Sequence, residues 1–147
     1  MSTDLLAHLN EGRDAIEAIM TDRCRITKPG VGAKVFNETT GQYDEPPRVV
    51  VYEGKCRIQV KADINSNLVE TTSGDHEWTY LTATLQIPIY AGAADTGDPG
   101  DVRPDNVAEM LSVAADDTLI GRVFNIQGIY HKSHATHRRW RIREVVG

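Results

Sequence analysis

Residues 55–60 of the chain read KCRIQV. Cys56 and Ile58 alternate with polar residues, and this period of two predicts a β-strand with one buried and one exposed face. The same alternation occurs in residues 22–28, DRCRITK, and in residues 78–89. No helical pattern long enough for a parallel crossover separates these segments, so we expect the strands to pair in antiparallel fashion.

Two further alternating segments, Arg122 to Tyr130 and Thr136 to Val146, follow. With Arg48 to Tyr52 and the short element Val107 to Val113, which is either strand or helix, the chain has six or seven predicted strands at hairpin-like intervals. Residues 1–21 have helical spacing of apolar side chains instead. We therefore predict a mainly β fold. It is an antiparallel β-barrel or sandwich with one short N-terminal α-helix. The sequence predicts a single domain, residues 1–147, whose β-barrel part, residues 22–147, carries long loops at about 28–48, 61–77 and 91–106.

Glycine and proline residues subdivide this pattern. Ala33 to Glu45 reads as a hairpin that turns through residues 37–41. Gly54 separates one predicted strand, Arg48 to Tyr52, from the next and indicates a bulge or a sharp bend. The polar stretch from Lys61 to Asp75 is either a long loop or a second projecting hairpin.

The composition excludes several classes of protein. The 147 residues contain 16 Lys and Arg against 21 Asp and Glu, a formal net charge of −5. A protein that coats nucleic acid with its whole surface would be basic, although a local basic patch remains compatible with this charge. No apolar run approaches the length of a membrane span, and residues 1–20 lack the features of a signal peptide. Cys24 and Cys56 are expected to be free, buried thiols.

Motifs of enzymes and metal sites are mostly missing. The sequence lacks nucleotide-binding, zinc-protease and serine-hydrolase motifs. His131, His134 and His137 fit a surface hairpin tip better than a zinc site, because no carboxylate or cysteine lies near them in the sequence. The aspartates between Asp95 and Asp105 lack the pattern of a calcium loop and are interpreted as a solvated acidic loop. We assign no catalytic residue, no metal and no cofactor, and we do not expect an enzyme.

Charge is distributed unevenly along the second half of the chain. Between Asp95 and Asp117 there are seven acids and one base, whereas the segment that follows carries positive charges without acids up to Glu144. This asymmetry favours contact with a complementary neighbour or with phosphates. The alternative is that the arginines form the polar face of an amphipathic strand. Nucleic-acid binding is less favoured, because no aromatic stacking residues interleave with these arginines.

Apolar residues on the predicted loops provide candidates for a partner-binding surface, because such residues form the centres of protein interfaces. They also pack, in many proteins, on their own domain. The interface candidates from these loops and from the charged segments are Val35, Phe36, Tyr43, Trp78, Tyr80, Asp98, Asp101, Arg138, Arg139, Arg141 and Arg143.

The order of these segments resembles a known family. A short amphipathic helix leads into DRCRITK, followed by VFNETTGQY, VYEGKCRIQ, LQIPIY and finally LIGRVFNIQGIYHKSHATHRRWRIREV. This order is similar to that of the head-closure or "stopper" proteins in the head-to-tail connectors of long-tailed (siphovirus-type) bacteriophages, in particular those of actinobacterial phages. The similarity spans most of the chain and consists of strand and turn signals.

The resemblance implies a structural virion subunit at the head–tail junction, assembled in the cytoplasm of the host bacterium. Such proteins form a homo-oligomeric ring between portal or adaptor proteins above and tail terminator or tail tube proteins below. The ring closes the head, retains packaged double-stranded DNA and provides its exit channel without sequence-specific binding. By this analogy the loops around residues 31–47 and 61–76 reach adjacent rings or form the gate, and the acidic loop faces a neighbour or the channel.

Three other functions remain open. Another neck or tail-completion protein is one, although adaptors of this kind are mostly helical and a tail terminator would show α/β alternation. A small β-barrel module for single-stranded nucleic acid is the second, and it would bind through Lys132 and the arginines from Arg138 to Arg143. A metal-dependent enzyme that uses the three histidines is the third.

Overall fold

The computed structural model describes residues 3–59, 68–73, 76–130 and 135–144. Within these ranges one helix precedes ten strands. The elements are α1 (Thr3–Ala18), β1 (Asp22–Lys28), β2 (Val35–Asn37), β3 (Gln42–Asp44), β4 (Val49–Gln59), β5 (Leu68–Ser73), β6 (His76–Ile87), β7 (Ala94–Gly97), β8 (Val107–Ser112), β9 (Val123–Ile129) and β10 (Arg138–Glu144).

Six of the strands close into an antiparallel barrel. The order around the barrel is β6–β10–β9–β8–β1–β4, and β4 pairs again with β6 to complete the ring. Register shifts interrupt the ladders of β1 with β4 and of β10 with β9. Such bulges increase local twist and allow a small sheet to close on itself. The prediction of a mainly β, antiparallel barrel with one N-terminal helix is confirmed.

The barrel interior is filled by the apolar residues that alternate along each strand. The largest fully buried side chains include Tyr52, Leu85, Phe124, Ile126 and Ile142. Cys24 and Cys56 are buried among them as free thiols, as predicted. Burial of the alternating apolar positions therefore explains why these segments form strands, since successive side chains of a strand point to opposite faces.

Three pieces extend from the barrel. β2 and β3 form a separate two-stranded hairpin, β5 pairs with the first part of β6, and β7 pairs with β4 between Tyr52 and Gly54. The predicted hairpin at residues 33–45 is thus confirmed. Of the two interpretations of residues 61–75, the backbone of the described part, which begins at Leu68, favours the hairpin.

The sequence predicted two strands around Gly54, whereas the structure has one continuous strand, β4. A side chain at position 54 would crowd the Tyr52 hydroxyl and the backbone nitrogen of Asp95. The glycine therefore makes room for the buried tyrosine, whose hydroxyl donates a hydrogen bond to the carbonyl oxygen of Lys55. The glycine marks a close approach within a strand and not the end of one, and the predicted bulge is present as a register shift between Glu53 and Gly54 in the pairing with β7.

The helix lies on the outside of the barrel and adds little to the core. Its apolar residues Leu5, Leu6 and, just beyond it, Ile19 are exposed. Polar contacts hold it in place: Arg13 Nε donates to the Ala135 carbonyl oxygen at 3.1 Å, and the guanidinium lies 5.6 Å from the centre of the Tyr90 ring. No helix in the described part of the chain has the length and apolar character needed to cross a membrane.

Candidate interaction surfaces

The hairpin of β2 and β3, residues 35–44, presents large apolar side chains to solvent. Val35 is 69% exposed, Tyr43 67% and Phe36 50%, and Val31 at the base of the hairpin is 92% exposed. The Phe36 and Tyr43 rings pack edge to face, with centroids 5.2 Å apart and an interplanar angle of 62°. We call residues 35–44 the projecting hairpin.

Hydrogen bonds at its tip fix the shape of the projecting hairpin. Asn37 Oδ1 accepts from the backbone nitrogens of Thr39 and Thr40, at 2.9 and 3.4 Å, and Asn37 Nδ2 donates to Asp44 at 3.0 Å. Gly41 has a φ of 71°, a conformation that glycine adopts without steric cost. The hairpin is therefore ordered by its own turn, although a two-stranded hairpin alone is only marginally stable in water.

Two contacts define the base of the projecting hairpin. Lys34 Nζ and Glu45 Oε1 form an ion pair at 2.8 Å, and the hydrogen bond and charge of Glu45 raise the pKa of Lys34 above its usual value. A Cβ at Gly30 would overlap the carbonyl oxygen of Pro47, so the two arms of the connection pass in direct contact there. The prolines fix the direction in which the second arm returns to the barrel.

A second surface lies on the outside of the barrel, where β4, β6, β10 and β9 are neighbours. Paired residues in a ladder point to the same side, so the register places two cross-strand rows on this surface. Arg57, Gln86 and Arg139 form one row, and Gln59, Thr84 and Arg141 form the next. Arg143 pairs with Asn125 beyond them. We call these eight residues the arginine face.

The polar side chains of the arginine face contact one another. Gln86 is only 2% exposed, and its Nε2 donates to Gln59 Oε1 at 3.3 Å. Thr84 Oγ1 donates to the carbonyl oxygen of Gln59 at 3.1 Å. Gln86 Oε1 and Arg139 Nε are buried without a hydrogen-bond partner. Arg141 is exposed, and Arg143 has an interaction of its own within the fold.

Arginines on the opposite side of the barrel are neutralised. β1 is three strands from β10 in either direction around the barrel. On its outer side Arg23 is paired with Asp95, and Arg25 Nε lies 3.4 Å from Glu53 Oε2. No carboxylate of the described residues lies within ion-pairing distance of Arg57, Arg139 or Arg141. The two sides of the barrel therefore differ in charge.

The predicted acidic residues have different roles. Asp98 Oδ1 accepts from the backbone nitrogen of Gly100 at 2.8 Å and caps a short 3₁₀ turn, Pro99–Asp101. Asp101 in that turn is exposed. Asp98 is therefore occupied in shaping its loop, and Asp101 is free to meet a partner or solvent. Arg138 approaches the same turn at Gly100, apart from the arginine face.

Other residues singled out from the sequence are placed only in part. Trp78 and Tyr80 lie on β6 opposite Thr71 and Val69, and their side chains are outside the described part of the structure. His131 and His134 also lie outside the described residues. Within the described ranges no group of three or more His, Cys, Asp or Glu residues has the arrangement of a metal site.

Only part of the arginine face could be predicted from the sequence. The alternation around Arg139 and Arg141 indicates that both point outward, but Arg57 is more than 80 positions away in the chain. The alternation of Arg57 with Cys56 and Ile58 already placed it on an outer face. Only the pairing of β6 with both β4 and β10 brings it into the same row as Arg139.

Comparison with known proteins places the chain in a family. The sequence model described as "Family of unknown function (DUF6093)" matches residues 12–143. The chain belongs to this family. The match to DUF6093 runs from the middle of α1 to β10 and so includes all six strands of the barrel. No curated protein matches the chain.

Among solved structures, the DUF6093 chain is similar to the solution structure of protein SF1141 from Shigella flexneri 2a. The sequence identity is 18%, the match covers 85% of this chain and 92% of that chain, and the TM-score is 0.49.

Proposed function

We propose that this DUF6093 protein is a structural subunit of a phage head–tail connector. It forms a ring between the portal or adaptor proteins and the tail, closes the head, retains the packaged DNA and provides its exit channel. The observation that carries the proposal is the projecting hairpin, which combines a fixed shape with large apolar side chains that contact no core.

The argument from the hairpin is energetic. Burying a Phe, Val or similar side chain contributes roughly 1.5–3 kcal/mol, so Val35, Phe36 and Tyr43 leave a substantial stabilisation unused in the isolated chain. Rigid aromatic residues that lose little entropy on contact are typical of the centre of an interface. A neighbouring subunit or an adjacent ring of the connector supplies the covering surface in this proposal.

The barrel itself fits such a role. A closed barrel leaves few free strand edges, which prevents unspecific edge-to-edge association. Specific contacts then come from the projecting elements and from the charge difference between the two sides of the barrel. A ring requires two different faces that complement each other, and this chain has unlike faces.

The first experiment is quantitative mass spectrometry of purified particles of a phage that encodes this chain, with cross-linking to identify its neighbours. We expect a low copy number, consistent with one ring, and cross-links from Lys34 at the base of the hairpin to portal-proximal or tail-proximal proteins. Absence of the chain from the particles would contradict the proposal.

A matched pair of variants tests the hairpin within this function. Phe36→Ala with Tyr43→Ala is expected to give filled heads without attached tails, because the covering contact is lost. Tyr130→Ala removes another exposed aromatic ring outside the hairpin and serves as the control. Normal tail attachment in the double variant would show that the hairpin is not the docking element.

A further inference from the structure

We propose that the arginine face binds the phosphate backbone of duplex DNA. The choice of duplex as the biological ligand rests on the proposed function, in which packaged DNA passes through the ring, whereas the surface itself is argued from its own geometry. The face is distinct from the projecting hairpin, which lies beyond the connection from β1 and contains none of its residues.

The charge of the face is unusual for this chain. The protein has a net charge of −5 and 21 acids. Yet the eight described residues of the arginine face comprise four arginines, three amides and one threonine, without a carboxylate. Elsewhere on the barrel Arg23, Arg25 and Arg122 are paired with the carboxylates of Asp95, Glu53 and Glu144. This surface therefore concentrates the positive potential of an otherwise acidic protein.

The spacing of the face fits a linear polyanion. Alternate residues on a strand are about 6.6 Å apart, so Arg139, Arg141 and Arg143 span about 13 Å along β10. Arg57 lies two strands away from Arg139, at about 10 Å, which widens the surface without breaking it. Gln59, Asn125 and Arg141 are exposed on this face, and arginine and amide side chains are among the groups that contact DNA phosphates.

Unused hydrogen-bonding groups lie in the middle of this surface. Gln86 is almost completely buried, and its Oε1 has no partner, while Arg139 Nε beside it is a buried donor without an acceptor. A buried donor without a partner costs stability unless a ligand or water completes it. Because both atoms are closed to solvent, contacts to phosphate fall mainly to the exposed residues of the face, Gln59, Asn125 and Arg141.

The face offers bases little to stack on. None of its eight described residues is aromatic, but Tyr130, which is 46% exposed, lies beside Arg139, and its backbone nitrogen donates to the Arg139 carbonyl oxygen at 3.0 Å. Proteins that hold single strands stack successive bases on several aromatic side chains, so one ring does not form such a site. Contacts to phosphates alone carry no sequence information, which predicts binding without sequence preference. The negative charge of the remaining surface limits the affinity, so DNA is held locally and still passes.

The test measures binding of the full chain to a fluorescent duplex of mixed sequence over a salt series. With three phosphates contacted, at Arg57, Arg139 and Arg141, log K is expected to fall with log salt with a slope of about −3. Arg139→Gln with Arg141→Gln should weaken binding at least about tenfold at low salt and reduce the slope by about 2. The single variant Arg141→Gln, at an exposed position, should show half the change in slope. It keeps the test decisive if the double variant fails to fold.

The control has the same number of arginines on the opposite side of the barrel. Arg23→Gln with Arg25→Gln removes two outward-facing arginines of β1 that are paired with carboxylates. This variant should keep the salt slope of the wild-type chain, because it leaves the arginine face intact.

Three results with nucleic acid would overturn the inference. They are absence of duplex binding at low salt, binding by the Arg139 and Arg141 variants equal to that of the wild-type chain, and tighter binding of a single strand than of a duplex. Tighter binding of polyglutamate than of duplex would identify an acidic protein surface as the partner and would also overturn it.

If the chain forms connector rings in particles but its variants bind DNA as tightly as the wild-type chain, the inference fails and the proposed function stands. If the chain is absent from particles, the proposed function fails whatever the DNA result.

Discussion

Cys24 and Cys56 face each other inside the barrel, on neighbouring strands and two positions out of register. Cys24 lies opposite Gly54, so Cys56 is its diagonal neighbour on β4. The hydrogen bond with Cys24, together with burial, raises the pKa of the Cys56 thiol far above its usual value. Burial likewise raises the pKa of the Tyr52 hydroxyl. Both groups therefore stay protonated in the folded barrel.

The protonated state of these groups predicts a loss of stability in alkaline solution. In the unfolded chain a cysteine titrates near pH 8.5 and a tyrosine near pH 10. Above those values the unfolded chain has released protons that the folded chain still holds, so the free energy of unfolding falls as pH rises. Each group contributes up to about 1.4 kcal/mol per pH unit. Urea titrations from pH 7 to 11 measure this slope.

Two variants show which group causes which part of the loss of stability in alkaline solution. Cys56→Ala should remove the part that begins near pH 8.5, and Tyr52→Phe the part that begins near pH 10. An unchanged slope in both variants would mean that these groups titrate alike in the folded and unfolded chain.

The barrel interior predicts a large cost for a cavity at Leu85. This side chain is fully buried, between its register partners Ile58 on β4 and Trp140 on β10. Leu85→Ala should lower the free energy of unfolding by about 2–5 kcal/mol. Val31→Ala, at a position 92% exposed, should change it by less than about 0.5 kcal/mol. Chemical denaturation compares the two, and a small effect at Leu85 would contradict the closed barrel.

Two glycines with similar backbone angles predict unequal costs. Gly41 has a φ of 71° and open space around it, so Gly41→Ala should cost only the left-handed strain of about 1–2 kcal/mol. Gly97 has a φ of 77°, and an added Cβ there would overlap the carbonyl oxygen of Val51. Gly97→Ala should therefore cost roughly 2–5 kcal/mol, from strain and overpacking together. Urea denaturation measures both costs. If the two substitutions lowered the free energy of unfolding by the same amount, β7 would not lie against β4.

We expect the apolar residues of the projecting hairpin to contribute to function but not to the stability of the barrel. Because Phe36 and Tyr43 contribute nothing to the barrel interior, replacing both with alanine should leave the melting temperature within a few degrees of that of the wild-type chain. Their edge-to-face contact is worth only about 0.5–1.5 kcal/mol beyond its buried area, and it stabilises the hairpin alone. Differential scanning calorimetry measures the effect. A large drop in melting temperature would show that the hairpin packs on the barrel.

The fold could be predicted from the sequence because alternation along each strand determines which side chains are buried. Cys24, Ile26 and Ile142 are buried where the period of two places them. The helix illustrates what periodicity leaves undetermined. Its apolar spacing predicts a buried stripe, but only Leu9 and Ile16 are half-buried, while Leu5 and Leu6 remain exposed.

The candidate surfaces were predictable to different degrees. The hairpin is local, so its turn signals at Asn37 and Gly41 were sufficient. The arginine face depends on long-range pairing of β6 with β4 and β10, which no local signal in the sequence reveals. The separation into two strands expected at Gly54 was wrong, whereas the bulge expected there is present as a register shift between Glu53 and Gly54 in the pairing of β4 with β7. β7 comes from a distant segment, so its pairing with β4 could not be read from the local sequence.

The order of strands around the barrel also has a kinetic consequence. β1 needs β8, which lies about 80 residues later in the chain, and β6 completes the ring only when β10 is available. Contacts between residues so far apart in sequence slow folding, since a long loop must close before they are gained. During synthesis one edge of β1 therefore stays unpaired until β8 has emerged from the ribosome. Cells that produce this protein in quantity are expected to depend on chaperones that shield this exposed edge.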